Sequence, residues 1–406
     1  MILMTVATTI FIAKYCDLFD WFGLLAKKRL LDYPVATFVT TPFFFWISAY
    51  SCRKYSSNSS GHGLQSVLQI LEKSPNNFDK ASFFLSARII IVKAVSSLIA
   101  TFGGGALGKE GPSVQMSAEI FAVISHKYRK FLPKINLETW VFAGSAAGLT
   151  VVFGAPIAGV VFIIEKLSKK KFRNFKSNIS WTLIIVAIVT MVLHELDPIF
   201  IFQHKNFFTL DNAMPLVLTA IICGSVAFVF KKISHSSYLK ISSIKTNWWH
   251  AVPIGAGLVV ACISFYSGIY SFSGGIDTMQ KALSGEIILS APEVVGRILN
   301  TIITFLAGCA GGLIAPAMTI GTGIGSVVGV ISSPADIGIF LLVGMAAFLS
   351  VVLGEFLTAA VIVFEVVGRD VKTIPFLLFA VIVAASTVKV IEIVFAKRGD
   401  DKVSGV

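Results

Sequence analysis

GSAAGLTVVFGAPIAGVVFIIE, residues Gly144–Glu165, returns about half the chain later as GMAAFLSVVLGEFLTAAVIVFE, residues Gly344–Glu365. Aligned without gaps, the two stretches share Gly144/Gly344, Ala146/Ala346, Ala147/Ala347, Leu149/Leu349, Val151/Val351, Val152/Val352, Gly154/Gly354, Val161/Val361 and Glu165/Glu365. Small apolar residues match readily by composition. Paired glycines and a terminal glutamate in register do not. An internal repeat of this span is a feature of membrane transporters, whose binding site falls at the repeat interface.

The rest of the chain agrees with a membrane setting. Of 406 residues 55% are apolar and only 14% are charged, against roughly 25% charged in a soluble globular domain. Apolar runs of membrane-spanning length account for the deficit: Thr182–Leu193 extending to Phe202, Leu216–Phe230, Ala251–Tyr270, Ile337–Phe364 and Ile374–Phe395. The formal charge of +12 is gathered in short loops beside those runs, as in Lys127–Lys134, Lys166–Lys176, Lys231–Lys232 and Lys397–Arg398. That is the positive-inside pattern of cytoplasmic loops, and not a nucleic-acid surface. Met1–Ala13 has the apolar character of a signal segment without its basic start, so an uncleaved first span running to about Leu25 is expected. Five cysteines, an odd number without ligand spacing, and six scattered histidines offer neither a disulfide frame nor a metal site. No cofactor motif survives: Gly103, Gly105 and Gly108 fit G-x-G-x-x-G only formally, with no strand–turn–helix unit around them. No nucleophile elbow or H-E-x-x-H is present, which leaves little room for an enzyme. The expectation is one all-α polytopic membrane domain over 1–406, with repeats at about 30–205 and 206–397 and no soluble domain.

Glycine and proline interrupt the apolar sequence at Gly103–Pro112 (GGGALGKEGP) and at Ala310–Pro316 (AGGLIAP). Non-helical backbone at membrane depth is tolerated only inside protein or along an aqueous cavity. Helices starting at such breaks present free N–H groups and the positive end of the macrodipole, an anion-binding element that needs no fixed charge. Pro112 and Pro316 suit a first helical turn.

Three stretches carry a specific resemblance. GKEGP at Gly108–Pro112, FGAPIAGVVFIIE at Phe153–Glu165 and GGLIAP at Gly311–Pro316 resemble, in order and spacing, the G-[KR]-E-G-P, F-N-A-P-L-A-G-x-x-F-x-x-E and G-G-x-F-x-P motifs of the CLC chloride channel and transporter family. Ser273–Gly275 and Ile362–Glu365 add to the match, which spans about Arg53 to Phe395. The resemblance implies two inverted-topology repeats of tilted and broken helices. It also implies a homodimer with one pore per subunit in the inner membrane and cytoplasmic termini, moving chloride or a similar small anion and protons. Glu110 matches the gating glutamate and proton acceptor. Gly111 and its neighbours match an outer anion site. The amides of Leu313 and Ile314 match a central one, where Ile314 in place of the usual Phe still offers its amide. Lys109 either adds positive potential there or is a snorkelling surface lysine.

Three departures bear on mechanism. The family's G-S-G-I-P serine, aligned through Arg53–Tyr55, falls on His62 between Gly61 and Gly63, or with a small gap on Ser60. His62 would donate an N–H to the anion or charge at low pH; its alternative is a solvated loop histidine. The family's late tyrosine has no counterpart, the nearest positions being Phe395 and Ala396. The inner proton-transfer glutamate falls on Lys166, so the inner proton-path candidates are Lys166 and its neighbour Glu165, which points about 100° away on a helix. Three readings follow: chloride/proton antiport through Glu110, a passive, voltage- or pH-gated chloride channel on the same scaffold, or an anion transporter of altered selectivity. Fluoride-exporting relatives usually lack the proline found here as Pro112. If His62 is an anion ligand, His62→Ser should change anion selectivity or its pH dependence; unchanged flux ratios for two anions would remove it from the site.

Overall fold

A chain this apolar must satisfy its own backbone hydrogen bonds once in lipid, and helices do so within a single segment. The structure, a computed structural model, describes residues 2–61, 63, 86–132, 135–169, 188–189, 192, 199–202, 212–242, 247–332 and 336–403. Fourteen α-helices run through the described residues. The long ones are α1 (Ile2–Asp32), α2 (Pro34–Tyr55), α7 (Ala213–Ser242), α8 (Ala251–Ser267) and α14 (Ile374–Val403). The shorter ones are α3 (Ala87–Phe102), α4 (Glu110–Lys127), α5 (Leu137–Phe153), α6 (Pro156–Lys169), α9 (Ile276–Leu283), α10 (Ala291–Leu306), α11 (Ile314–Ser332), α12 (Ile337–Leu353) and α13 (Phe356–Val366). Six helical stretches are long and apolar enough to cross a bilayer, and this is a multi-pass membrane protein. At 1.5 Å per residue α1 is ~46 Å long, more than a ~30 Å hydrocarbon core, so it tilts or projects. It reaches Asp32, past the expected end near Leu25. The run Thr182–Leu193 lies almost entirely outside the described residues.

The two copies of the repeat become two copies of one structural unit. In each, a helix starting at a glycine break packs on a helix buried all round: α4 on α5, and α11 on α12. Gly144 and Gly344 stand at the same place in the two pairs. A Cβ on Gly144 would run into the Ser117 carbonyl of α4, and one on Gly344 into the Gly321 carbonyl of α11. Next, α5 and α12 each end on a left-handed glycine, Gly154 at φ 55° and Gly354 at φ 78°. The chain reverses there and one residue later begins α6 or α13. The apolar run Ile337–Phe364 is therefore two antiparallel helices and not one span.

Helices α6 and α13 then pack against each other and exchange caps. Glu165, late in α6, accepts from Leu357 N (3.2 Å), Thr358 N (2.8 Å) and Thr358 Oγ1 (2.7 Å) at the start of α13. Glu365, late in α13, accepts from Ile157 N (3.2 Å) and Ala158 N (2.6 Å) at the start of α6. Only antiparallel helices allow this exchange, so it is the inverted repeat written in hydrogen bonds. Each carboxylate satisfies two of the orphan amides that a helix start leaves and faces the positive end of its dipole. The remaining surfaces of α2 and α14 are apolar and exposed, as at Val39 and Ile382, and suit lipid.

Charge-assisted bonds of this type contribute about 1.5–3 kcal/mol each. Glu365→Gln should therefore lower the thermal midpoint of the detergent-solubilised protein. Glu165→Gln should cost less after Glu365 is gone if the two caps cooperate, and strictly additive losses would mean they act independently.

Candidate anion and proton site

Three non-helical stretches meet inside the bundle. Gly108 N donates to Gly312 O (2.8 Å) and Gly312 N to Gly108 O (2.7 Å), an isolated antiparallel bridge between the two glycine breaks. Gly61 bridges in parallel to Ala310, with Gly311 N donating to Gly61 O (3.4 Å). A second donor reaches that carbonyl: Lys93 Nζ, fully buried on α3, at 2.6 Å. Gly63 packs on the first turns of α4, where any side chain on it would meet the Gly111 carbonyl and Gln115 Oε1. His62 lies outside the described residues. The crossing thus satisfies non-helical backbone by pairing it with itself, and it aims the starts of α4 and α11 at one place.

Glu110 opens α4 and is wholly buried. Its carboxylate folds back beside Gly108. Oε2 accepts from Ala315 N (3.2 Å) in the first turn of α11, and Oε1 has no hydrogen-bond partner among the described residues. Gly111, Leu313 and Ile314 share this crossing, and the amide that holds the carboxylate is that of Ala315, one residue beyond the pair singled out in the sequence. Lys109 is neither a free lysine nor a snorkelling one. It is 8% exposed and pairs with Asp20 of α1 at 2.5 Å.

Two cavities approach the crossing. One, of about 270 Å³, is lined by Asp20, Thr101, Gly108, Ser273, Asp277 and Ala315. The Ser273 turn on its wall is clamped by buried Arg297, which donates to the carbonyls of Tyr270, Phe272 and Ser273. The other cavity, of about 450 Å³, is lined by Cys52, Arg53, Asn58, Ser60, Trp249 and Gly308. They sit at opposite ends of the bundle. Met4, at the start of α1, packs with Phe121 and Trp140 and beside Ile124, late in α4, whereas Asp20 meets α4 at its beginning. Helix α2 returns from the far end of α1, and so delivers Arg53 to the end where α4 finishes.

Glu165 and Lys166 do not join the crossing. Glu165 is the cap of α13 described above. Lys166 forms an ion pair with Glu355, the residue between Gly354 and α13, which is 3% exposed. Phe395, nearest in sequence to the missing tyrosine, is exposed on α14 with Lys232 Nζ 5.6 Å from its ring. Among the described residues no His, Cys, Asp and Glu side chains gather as metal ligands. Sequence reasoning passed over Asp20, Lys93, Ala315 and Glu355. An ionisable residue inside an apolar run is a site signal in itself, and Lys93 in Ile89–Ala100 carried it.

A family model described as voltage gated chloride channel matches residues 44–389. The chain belongs to that family, the CLC proteins. Solved structures agree in fold. A slow cyanobacterial Cl⁻/H⁺ antiporter superposes with a TM-score of 0.77 at 20% identity, over 96% of this chain and 93% of that one. A CLC-type fluoride/proton antiporter gives 0.76 at 18% identity, over 94% and 93%. A eukaryotic CLC transporter gives 0.73 at 21%, over 95% of this chain and 70% of that one. At these identities the likeness establishes the CLC fold and nothing finer.

Within that fold the Lys166–Glu355 pair is testable on its own. Glu355→Gln leaves a largely buried ammonium without its counter-charge and should cost about 3–5 kcal/mol. Adding Lys166→Met should recover most of the lost thermal stability; no recovery in the double variant would mean the two charges are not coupled.

Proposed function

We propose that the protein moves chloride, or a similar small anion, across the membrane in exchange for protons, with Glu110 as gate and proton acceptor. The observation that carries this reading is the hydrogen bond from Ala315 N to Glu110 Oε2. A carboxylate there sits where a permeating anion would, on amides at the positive end of α11. Ionised, Glu110 competes with the anion for the donor. Protonated, it is neutral and a weak acceptor, and the amides of Gly111, Leu313, Ile314 and Ala315 pass to the anion. Proton arrival and anion movement are coupled because one carboxyl group controls both.

The surroundings support this division of labour. Lys93, on the Gly61 carbonyl, brings positive charge to the crossing without a mobile cation in the path, and Lys109 is held by its ion pair with Asp20. The basic stretch Lys127–Lys134 follows α4, so the end carrying Arg53 and the 450 Å³ cavity faces the cytoplasm under the positive-inside rule. That orientation puts the N-terminus of α1 in the cytoplasm and the 270 Å³ cavity outside. The whole crossing lies within one chain, which fits a homodimer with one pore per subunit in the cell membrane. The solved relatives named as Cl⁻/H⁺ and fluoride/proton antiporters are consistent with exchange. Lys166 favours the second reading, a passive channel, because the residue at the family's inner acid is a cation already paired with Glu355.

Simultaneous recording of chloride efflux and proton uptake in liposomes decides between them. Antiport requires uphill proton movement driven by the chloride gradient. Glu110→Gln should then keep anion flux, lose proton movement, and lose the rise in flux that wild type gives as pH falls and Glu110 is protonated. Persistent proton transport in that variant would remove Glu110 from the proton path.

A further inference from the structure

Nine residues after the gate, on the same helix, stands a second acid. Glu119 is fully buried in α4, ~13.5 Å along the axis from Glu110 at 1.5 Å per residue. It lies toward the helix end that carries His126 and Lys127. Its Oε1 accepts from Gln115 Nε2 (2.9 Å), which also donates to Asn58 O (3.2 Å). Its Oε2 is buried with no hydrogen-bond partner among the described residues, and Gln115 Oε1 is in the same position. Gln115 in turn lies against Gly63, within the crossing. One charged group acts on Glu119 from the elements packed on α4. It is Lys93 of α3; α1, α5 and α11 contribute none among the described residues.

A carboxylate in this position has no structural office. It is mid-helix, so it caps nothing, and its one hydrogen-bond donor among the described residues is the side chain of Gln115. Ionised, it leaves one oxygen buried without a donor, which is unfavourable at membrane depth. A proton on Oε2 removes the charge and so the cost of burying an ionised oxygen without a donor. Lys93 supplies the counter-charge that allows the ionised form to exist once the proton leaves. The site therefore tolerates both states, as a transfer station must.

We propose that Glu119 is a second proton-binding site, which passes protons between the cytoplasmic side and Glu110 in place of an acid at position 166. The proton is taken up on Oε2 and released from it; Gln115 orients the carboxyl group and keeps its own protons. This rests on the antiport reading, and the test separates the two. Wild type, Glu119→Gln and Glu119→Asp are reconstituted, and chloride efflux and proton uptake are recorded together. The expected result is that wild type and Glu119→Asp move both ions, while Glu119→Gln keeps anion flux and loses proton uptake. Proton uptake by Glu119→Gln at the wild-type ratio to chloride would overturn the proposal and leave antiport standing. Loss of both fluxes in Gln and Asp alike would make Glu119 a packing residue and overturn it too. Wild type that moves chloride without protons would overturn the antiport reading itself, and the transfer role with it.

Discussion

Two backbone hydrogen bonds, from Gly108 to Gly312 and back, are what the rest of the molecule depends on. Lipid offers no partner to a bare N–H or C=O, so helices broken at membrane depth must satisfy their broken ends against protein. Here the two breaks satisfy each other, and Gly61 adds a third strand of backbone through Ala310 and Gly311. Because the breaks pair, the helices that follow must start at the same point. The convergence of α4 and α11, and with it a cluster of anion-seeking amides, follows from backbone bookkeeping before any side chain is considered.

Three carboxylates, Glu165, Glu365 and Glu110, sit on the free amides of a helix start in another part of the chain, with different outcomes. Glu165 and Glu365 each take two backbone donors, and Glu165 takes a hydroxyl as well. They are latches between the repeats. Glu110 takes one amide at 3.2 Å and leaves its second oxygen without a partner among the described residues. Under the proposed function this is the carboxylate that leaves when protonated.

Charges within the bundle follow the same economy. Lys109 with Asp20, Lys27 with Asp277 at 2.7 Å, and Lys166 with Glu355 are paired, while Lys93 and Arg297 spend their donors on carbonyls of non-helical backbone. An unpaired ion at this depth is expensive, so each cation is tied to a particular loop or helix start. Glu110 Oε1 and Glu119 Oε2 are buried carboxylate oxygens with no hydrogen-bond partner among the described residues.

Much of this architecture was legible in the chain. The matched glycines and glutamates of Gly144–Glu165 and Gly344–Glu365 revealed the repeat, and GKEGP and GGLIAP marked the breaks, because helix-breaking residues inside lipid-length apolar sequence have few other uses. Glu110 was legible for the same reason, as an acid next to such a break. Partnership across the sequence was not. Glu165 was read as a proton-path candidate, and nothing local says that its carboxylate spans to Thr358, 193 positions away. Lys166 looked like the first residue of a basic loop until folding set it beside Glu355. Lys93 and Glu119 sit in separate apolar stretches, and only packing α3 on α4 makes them neighbours. Periodicity and breaks are properties of a segment and survive in the linear chain. Which donor meets which acceptor is decided by how segments pack, since an unsatisfied group in lipid takes whatever partner the fold brings within reach.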